Sequence, residues 1–208
     1  MKKNVFSLVL TFLVITLAGC YPDGPEYVDE YDIVYTNHDA TFAFGGKGTY
    51  SMPDSVVKIT GDAVAGDPLV FVSPGYANTI LNRIEDNMRE HGYTRVSNQA
   101  LAELVLFPSA VEVTNISYYY DYWGYYYGWY YPPYYGGWYY PYPVTTSYTT
   151  GSLFMTLTDN VNTSPTDKHK VAWIGIANGL LEGASYDFDT RIGKAIDQAF
   201  AQSEYLHP

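Results

Sequence analysis

Between Tyr118 and Pro143 lie 26 residues, of which 14 are tyrosine, three tryptophan, four glycine and four proline; Asp121 is the one exception. Glycine and proline interrupt helices and strand ladders alike, and neither a helical nor a two-residue period survives across the stretch. The fold must therefore carry it as an insertion at a strand end, between Ile116 and Ser147. Three arrangements meet that demand. One is a low-complexity loop with its hydroxyls in water. Another is a long hairpin whose rings pack on each other and on the domain. The third is an exposed platform, in which Tyr and Trp offer large area with a polar tip. A platform would draw on Trp123, Tyr126, Trp129, Tyr131, Tyr135, Trp138 and Tyr140, and would suit a sugar ring, a peptide partner or a membrane interface. Nucleic acid also stacks on tyrosines. However, the segment has no Lys or Arg and the chain carries a net charge of −11, which repels phosphate backbones.

The single cysteine, Cys20, closes an uncharged apolar stretch that starts at Val5, behind Lys2 and Lys3. A basic start, a short apolar run and small residues at the cut are the layout of a secretory signal peptide. The run is too short to span a bilayer as a helix. Leu17-Ala18-Gly19-Cys20 closely resembles the signal of bacterial lipoproteins. That resemblance implies cleavage before Cys20, lipid on its sulfur and acylation of the new amino terminus. Residues 1–19 are then the signal, 20–30 a lipidated tether rich in Pro, Gly and acids, and 31–208 one domain with the aromatic insertion at 118–143. Nine basic against 22 acidic residues remain after such a cut, a net of −13. A body this acidic is repelled by anionic headgroups, so the acyl chains must do the anchoring. With Cys20 acylated no disulfide forms, and stability rests on a hydrophobic core, which a domain of this length can bury.

The regular elements read as strands, helix, strands, helix. Tyr31, Ile33, Val34 and Tyr35 are β-prone, Phe42 and Phe44 alternate as in a half-buried strand, and Gly45 to Gly48 form a turn. Tyr50 and Val56 to Ile59 are extended, with Pro53 marking an edge. A helix spans about Gly75 to His91, with Ile80, Leu81, Ile84 and Met88 on one face and Gly92 as its stop. Tyr93 to Val96 is a strand. Leu104 to Phe107 is continuously apolar, as in a strand covered on both faces. Leu153, Met155 and Leu157 alternate with polar residues, Asp159 to Lys170 is a polar loop, and Val171 to Ile176 is a strand paired with the preceding one. The last helix spans about Asp189 to Ser203, with Ile192, Ala195, Ile196, Ala199 and Phe200 as its buried stripe and Asp187 or Asp189 as cap. This order predicts an α+β fold: a mainly antiparallel sheet with two helices packed on one face.

Chemistry is sparse. Gly45, Gly46 and Gly48 miss the phosphate-binding spacing and lack its strand–helix context. His38, His91, His169 and His207 have no partner at metal-ligand spacing, and Asp167 with His169 reads as a solvated turn. Asp187 and Asp189 could pair as a catalytic dyad, but helix capping explains them more simply. No nucleophile elbow, zincin or P-loop pattern is present, so no catalytic residue, metal or cofactor is expected.

Several stretches together resemble a known family. They are Asp32 to Asn37, Phe42 and Phe44, Thr49-Tyr50 before Pro53-Asp54, Met88 with Gly92-Tyr93, the Tyr/Gly/Pro insertion, Trp173-Ile174-Gly175, and the ending Ala199 to Leu206. On these the chain resembles the domain-of-unknown-function 4136 group of bacterial lipoproteins, especially its Bacteroidetes versions. The resemblance covers nearly the whole mature chain, although relatives more often have proline where Glu204 stands. It implies an envelope lipoprotein with a small α+β domain and brings no catalytic residues. Tyr21, which is not an inner-membrane retention aspartate, favours the outer membrane of a Gram-negative cell. The expectation is a non-catalytic protein, membrane-bound through Cys20, that binds an envelope protein or glycan through its aromatic segment. The alternative is an envelope-polymer hydrolase with two close, buried carboxylates.

Overall fold

Two helical stripes and one strand buried along its whole length set the frame. The computed structural model describes residues 34–62, 67–113, 119, 122, 138–144, 151–163, 168–180 and 187–208, with the backbone alone at 162 and 163. By contacts the chain divides into Met1–Tyr31 and Asp32–Pro208, and every described residue belongs to the second unit. Cys20, the tether, Tyr31 and Ile33 fall outside the described residues.

The strands are β1 (Val34–His38), β2 (Thr49–Ser51), β3 (Val57–Ile59), β4 (Val70–Phe71), β5 (Thr94–Arg95), β6 (Leu104–Val111), β7 (Trp138–Tyr139), β8 (Ser152–Thr163) and β9 (His169–Ala177). Helix α1 (Pro74–Glu90) follows β4, and α2 (Phe188–Ala201) follows β9. Among the described residues all nine strands form one sheet, ordered β1-β9-β8-β6-β2-β5, with β3 on β6, β4 on β3 and β7 on β9.

The sheet is mixed, which corrects the expectation of a mainly antiparallel one. β1–β9, β9–β8, β8–β6 and β3–β4 are antiparallel. β6 runs parallel to both β2 and β3, β2 parallel to β5, and β7 parallel to β9. The cause is the chain's path: α1 lies between β2–β3 and β6 and serves as the crossover that parallel neighbours require. β2 pairs with the start of β6 (Tyr50 opposite Leu104) and β3 with its end (Ile59 opposite Val111). The two strands share one edge of β6, and Pro53, which has no N–H for a ladder, lies in the break between them.

α1 buries Ala77, Ile80, Leu81, Ile84, Asn87 and Met88; α2 buries Phe188, Ile192, Ala195, Ile196, Ala199 and Phe200. Both stripes match the 3.6-residue spacing in the sequence. Gly92, at φ 93°, ends α1 in a conformation that glycine adopts without strain. Asp187 holds the N-cap position of α2 without a side-chain capping bond, while Asp189 accepts from Thr79 Oγ1 at 3.0 Å. Arg83 and Asn87 of α1 both bond to Asp197 of α2, Arg83 Nε at 2.6 Å and Asn87 Nδ2 at 2.8 Å.

The sheet carries a core on each face. Leu104, Leu106, Leu153, Met155, Leu157 and Trp173 join the two helices. Val57, Ile59, Val105, Phe107, Val111, Phe154, Val171, Ile174 and Ile176 form a second cluster on the other side. Every residue of β6 is therefore buried, as the continuous apolarity of Leu104 to Phe107 predicted for its first half; the burial extends through Ser109 to Val111. The register between β8 and β9 shifts after Leu157–Trp173, and this irregularity lets consecutive Ala172 and Trp173 both join the helix-side core.

Two local expectations fail. Phe42 to Phe44 is not a strand but part of a loop over 39–48, in which Phe44 is buried and Phe42 half-buried. The two rings meet edge-on at 4.8 Å, so the apolar spacing serves a plug rather than a ladder. Asp159 to Lys170 is not simply a polar loop: β8 continues to Thr163 and β9 begins at His169. Among the described residues there, Asp159, Asn160 and His169 are buried, and each is held by a hydrogen bond. Asn160 Nδ2 donates to the carbonyls of Gln99 at 2.9 Å and Ala102 at 2.7 Å.

Candidate functional site

The second core is closed by the ends of the aromatic segment. Tyr119 is fully buried, its ring 4.6 Å from Phe154 and its hydroxyl 2.7 Å from Thr156 Oγ1. Tyr122 is buried in the same cluster. Trp138 lies 5.1 Å from Phe107 and 6.0 Å from Tyr119. Tyr140 and Tyr142 pack against the cluster half-buried and meet each other edge-on at 6.1 Å. Of the seven platform residues read from the sequence, Trp138 is thus buried, 9% exposed, and Tyr140 half-buried. Trp123, Tyr126, Trp129, Tyr131 and Tyr135 lie outside the described residues. The signal for a structural role was available in β6: a strand apolar on both faces needs two covers, and the helices supply one.

β7 docks the end of the segment in register on the start of β9, Trp138 opposite His169 and Tyr139 opposite Lys170. Successive strand residues point to opposite faces. Trp138 joins the core, and Tyr139 lines a cleft of about 300 Å³ together with Thr41, Phe42, Ala43, Lys47, Asp159 and Lys170.

Two buried carboxylates set the electrostatics of this cleft. Lys170 Nζ donates to Asp39 Oδ2 at 2.6 Å, and Asp39 Oδ1 accepts from Thr41 N at 2.9 Å and Thr41 Oγ1 at 2.7 Å. Burial alone would raise the Asp39 carboxyl, but the hydrogen bonds from Lys170 and Thr41 outweigh it and hold it below the usual carboxylate range. The same bond raises the Lys170 ammonium. Lys47 Nζ donates to Asp159 Oδ1 at 3.2 Å and lies 5.6 Å over the Phe42 ring. Asp159 Oδ1 also accepts from Val161 N at 3.0 Å. The Lys47 loop is fixed by Glu103, whose Oε2 accepts from Gly48 N at 2.8 Å and Thr49 N at 3.2 Å. The cleft therefore presents two ammoniums, a carboxylate and two aromatic rings in fixed positions.

The histidines form no single cluster. His91 and His207 stack on each other at 4.9 Å, while His38 stacks on Tyr205 with ring centroids 3.6 Å apart. His169, read from the sequence as part of a solvated turn, is buried in β9, where Nδ1–H donates to the Asp159 carbonyl at 3.0 Å. Burial holds its pKa below the usual value, so it stays neutral. Among the described residues no three His, Cys, Asp or Glu side chains group as a metal site, and no helix is long and apolar enough to cross a membrane.

A solved protein shares the fold. A solved DUF4136 family protein from Bacteroides thetaiotaomicron VPI-5482 matches with a TM-score of 0.66 and 27% identity, over 85% of this chain and 97% of its own. A PelC variant dodecamer from Paraburkholderia phytofirmans matches with a TM-score of 0.41 and 15% identity, over 85% and 97%. No curated protein matches the chain. The family model described as "Domain of unknown function (DUF4136)" matches residues 34–203, nearly the whole of the second unit, and the chain belongs to that family.

Proposed function

We propose that this is a lipid-anchored cell-envelope protein, acylated on Cys20 and held at the outer membrane of a Gram-negative bacterium, that binds an envelope partner or glycan without turning it over. The observation that carries the reading is Tyr139. It stands at the docked end of the aromatic segment and lines the same cleft as Phe42, Lys47, Asp159 and Lys170. The aromatic segment thus covers the core with some rings and delivers another to a polar cleft. Concave sites that set fixed polar groups beside aromatic rings are where ligands are held.

A hydrolase reading has one point in its favour, the two buried acids Asp39 and Asp159. Each is engaged by a lysine. A general acid must keep its proton near neutral pH, whereas Asp39 is held ionised. The binding reading is therefore preferred.

The test is retention of the intact detergent-solubilised protein on purified envelope glycan and envelope protein fractions. It is compared with Tyr139→Ala and with a variant whose residues 123–137 are replaced by a short Gly-Ser linker. Loss of retention in either variant is expected. Equal retention of both variants defeats the reading, and release of soluble fragments from the glycan reverses it in favour of the hydrolase.

A further inference from the structure

We propose that the cleft lined by Phe42, Lys47, Tyr139, Asp159 and Lys170 takes a neutral, hydroxyl-rich saccharide ring. This rests on the reading of the cleft as a ligand site and names the class of ligand. The charges decide first. The Lys47–Asp159 and Lys170–Asp39 pairs sum to zero, within a chain of net charge −11. An acidic ligand gains no net local charge here and is repelled by the body. A cationic ligand meets two ammoniums whose carboxylates are already engaged. A neutral ligand meets neither obstacle.

The hydrogen-bonding inventory decides next. Each ammonium carries three N–H donors, more than its one carboxylate partner uses. Asp159 is 3% exposed and already accepts from Lys47 and Val161 N, so it holds the Lys47 ammonium in place rather than meeting a ligand. Sugar hydroxyls accept as well as donate, so the two ammoniums are matched by hydroxyls of one ring. Such charge-assisted bonds are the stronger kind. The groups are also pre-ordered: Glu103 fixes the loop that carries Lys47, and β-pairing fixes Tyr139 and Lys170. Little conformational freedom is then lost on binding. Phe42 and Tyr139 supply flat apolar area for the C–H face of the ring. The volume, about 300 Å³, stands at the small end of ligand sites and suits one or two rings rather than a peptide.

The experiment uses the intact protein in a non-glycosidic detergent. Saturation-transfer NMR and calorimetry are run with maltotriose, cellotriose and triacetylchitotriose as neutral probes. Trigalacturonate is the anionic probe and deacetylated chitotriose the cationic one. At least one neutral trisaccharide is expected to bind saturably and more tightly than both charged probes. Tyr139→Ala should weaken it about tenfold, and Tyr139→Phe, which keeps the ring, less than about threefold. Thermal melts of both variants check the fold. The proposal is overturned if no neutral probe binds, if a charged probe binds most tightly, or if folded Tyr139→Ala binds like the parent. Should the cleft bind no neutral sugar while envelope fractions still retain the protein in a Tyr139-dependent way, the ligand class is wrong and the binding reading stands. Sugar binding without envelope retention has the opposite meaning.

Discussion

The Trp173 indole nitrogen donates to the Ser203 hydroxyl at 2.8 Å, and Ser203 in turn donates to the Ala199 carbonyl at 2.9 Å. This chain of bonds crosses from β9 to the end of α2, and both Trp173 and Ser203 are fully buried. The indole also packs on Phe200 at 5.4 Å. Strand, helix and C-terminal tail are thus locked at one point, which joins two of the stretches that carry the family resemblance, Trp173-Ile174-Gly175 and Ala199 to Leu206.

Trp173→Ala and Phe200→Ala should each cost about 3–5 kcal/mol, the range for truncating a large buried aromatic. Ser203→Ala should cost about 1–3 kcal/mol, because it strands the indole N–H without an acceptor. Urea denaturation checks all three. A Ser203→Ala cost that persists unchanged in a Trp173→Phe background would show that the indole bond is not its source.

Gly175 lies beneath the same indole. A Cβ there would stand 2.8 Å from Trp173 Cη2 and 3.0 Å from Met155 Cε. Both neighbours are fully buried and have little room to retreat. Gly175→Ala should therefore destabilise the domain by about 1–3 kcal/mol, and Trp173→Phe should relieve part of that cost in the double variant. A neutral Gly175→Ala melt would contradict the packing described.

The aromatic segment divides into parts with opposite expectations. Tyr119, Tyr122 and Trp138 close the second core, so removing residues 118–143 should unfold the domain. From sequence alone the same deletion looks harmless, since the segment has few aliphatic residues. Tyr119→Ala and Trp138→Ala should each cost about 3–5 kcal/mol. Replacing 123–137 by a short linker keeps all three rings and should cost far less, because loop closure depends only weakly on length. Circular dichroism and thermal melts of the two deletions separate these outcomes.

Anchoring is tested at Cys20. If lipid on this residue holds the protein, Cys20→Ser should move it from the detergent phase to the aqueous phase in a phase-partition assay. Retention of the variant in the detergent phase would remove the lipoprotein part of the proposal.

The helices were legible because burial on a helix leaves a 3.6-residue trace, as at Ile80, Ile84 and Met88 or Ile192, Ile196 and Phe200. Strand direction was not. β2 has three residues and β5 two, too few to leave a pattern, and whether they run parallel depends on where α1 carries the chain. The cleft was invisible for another reason. Lys170 meets Asp39 across 131 residues and Lys47 meets Asp159 across 112, so no local spacing brings them together. His169 was misread because Asp159 to Lys170 is polar in composition, while its buried groups find partners that composition does not reveal.

Those buried groups predict two acid-sensitive steps. The His169 pKa is lowered by burial from its usual 6.5. Below about pH 6.5 the unfolded chain therefore binds a proton that the folded protein resists, and stability falls with pH until the folded value is reached. The Asp39 pKa is lowered from its usual 3.8, its bonds from Lys170 and Thr41 outweighing burial. Its contribution is complete above about pH 3.8 and is lost as pH falls through the lower folded value. Urea unfolding from pH 7.5 to pH 5 should show a decline that His169→Gln removes, since glutamine can still donate to the Asp159 carbonyl without titrating. A further decline below about pH 4 should be reduced in Asp39→Asn, which should also be less stable at pH 7 because Lys170 loses its partner charge. A His169→Gln protein whose stability follows the parental pH curve from 7.5 to 5 would place the titrating group elsewhere.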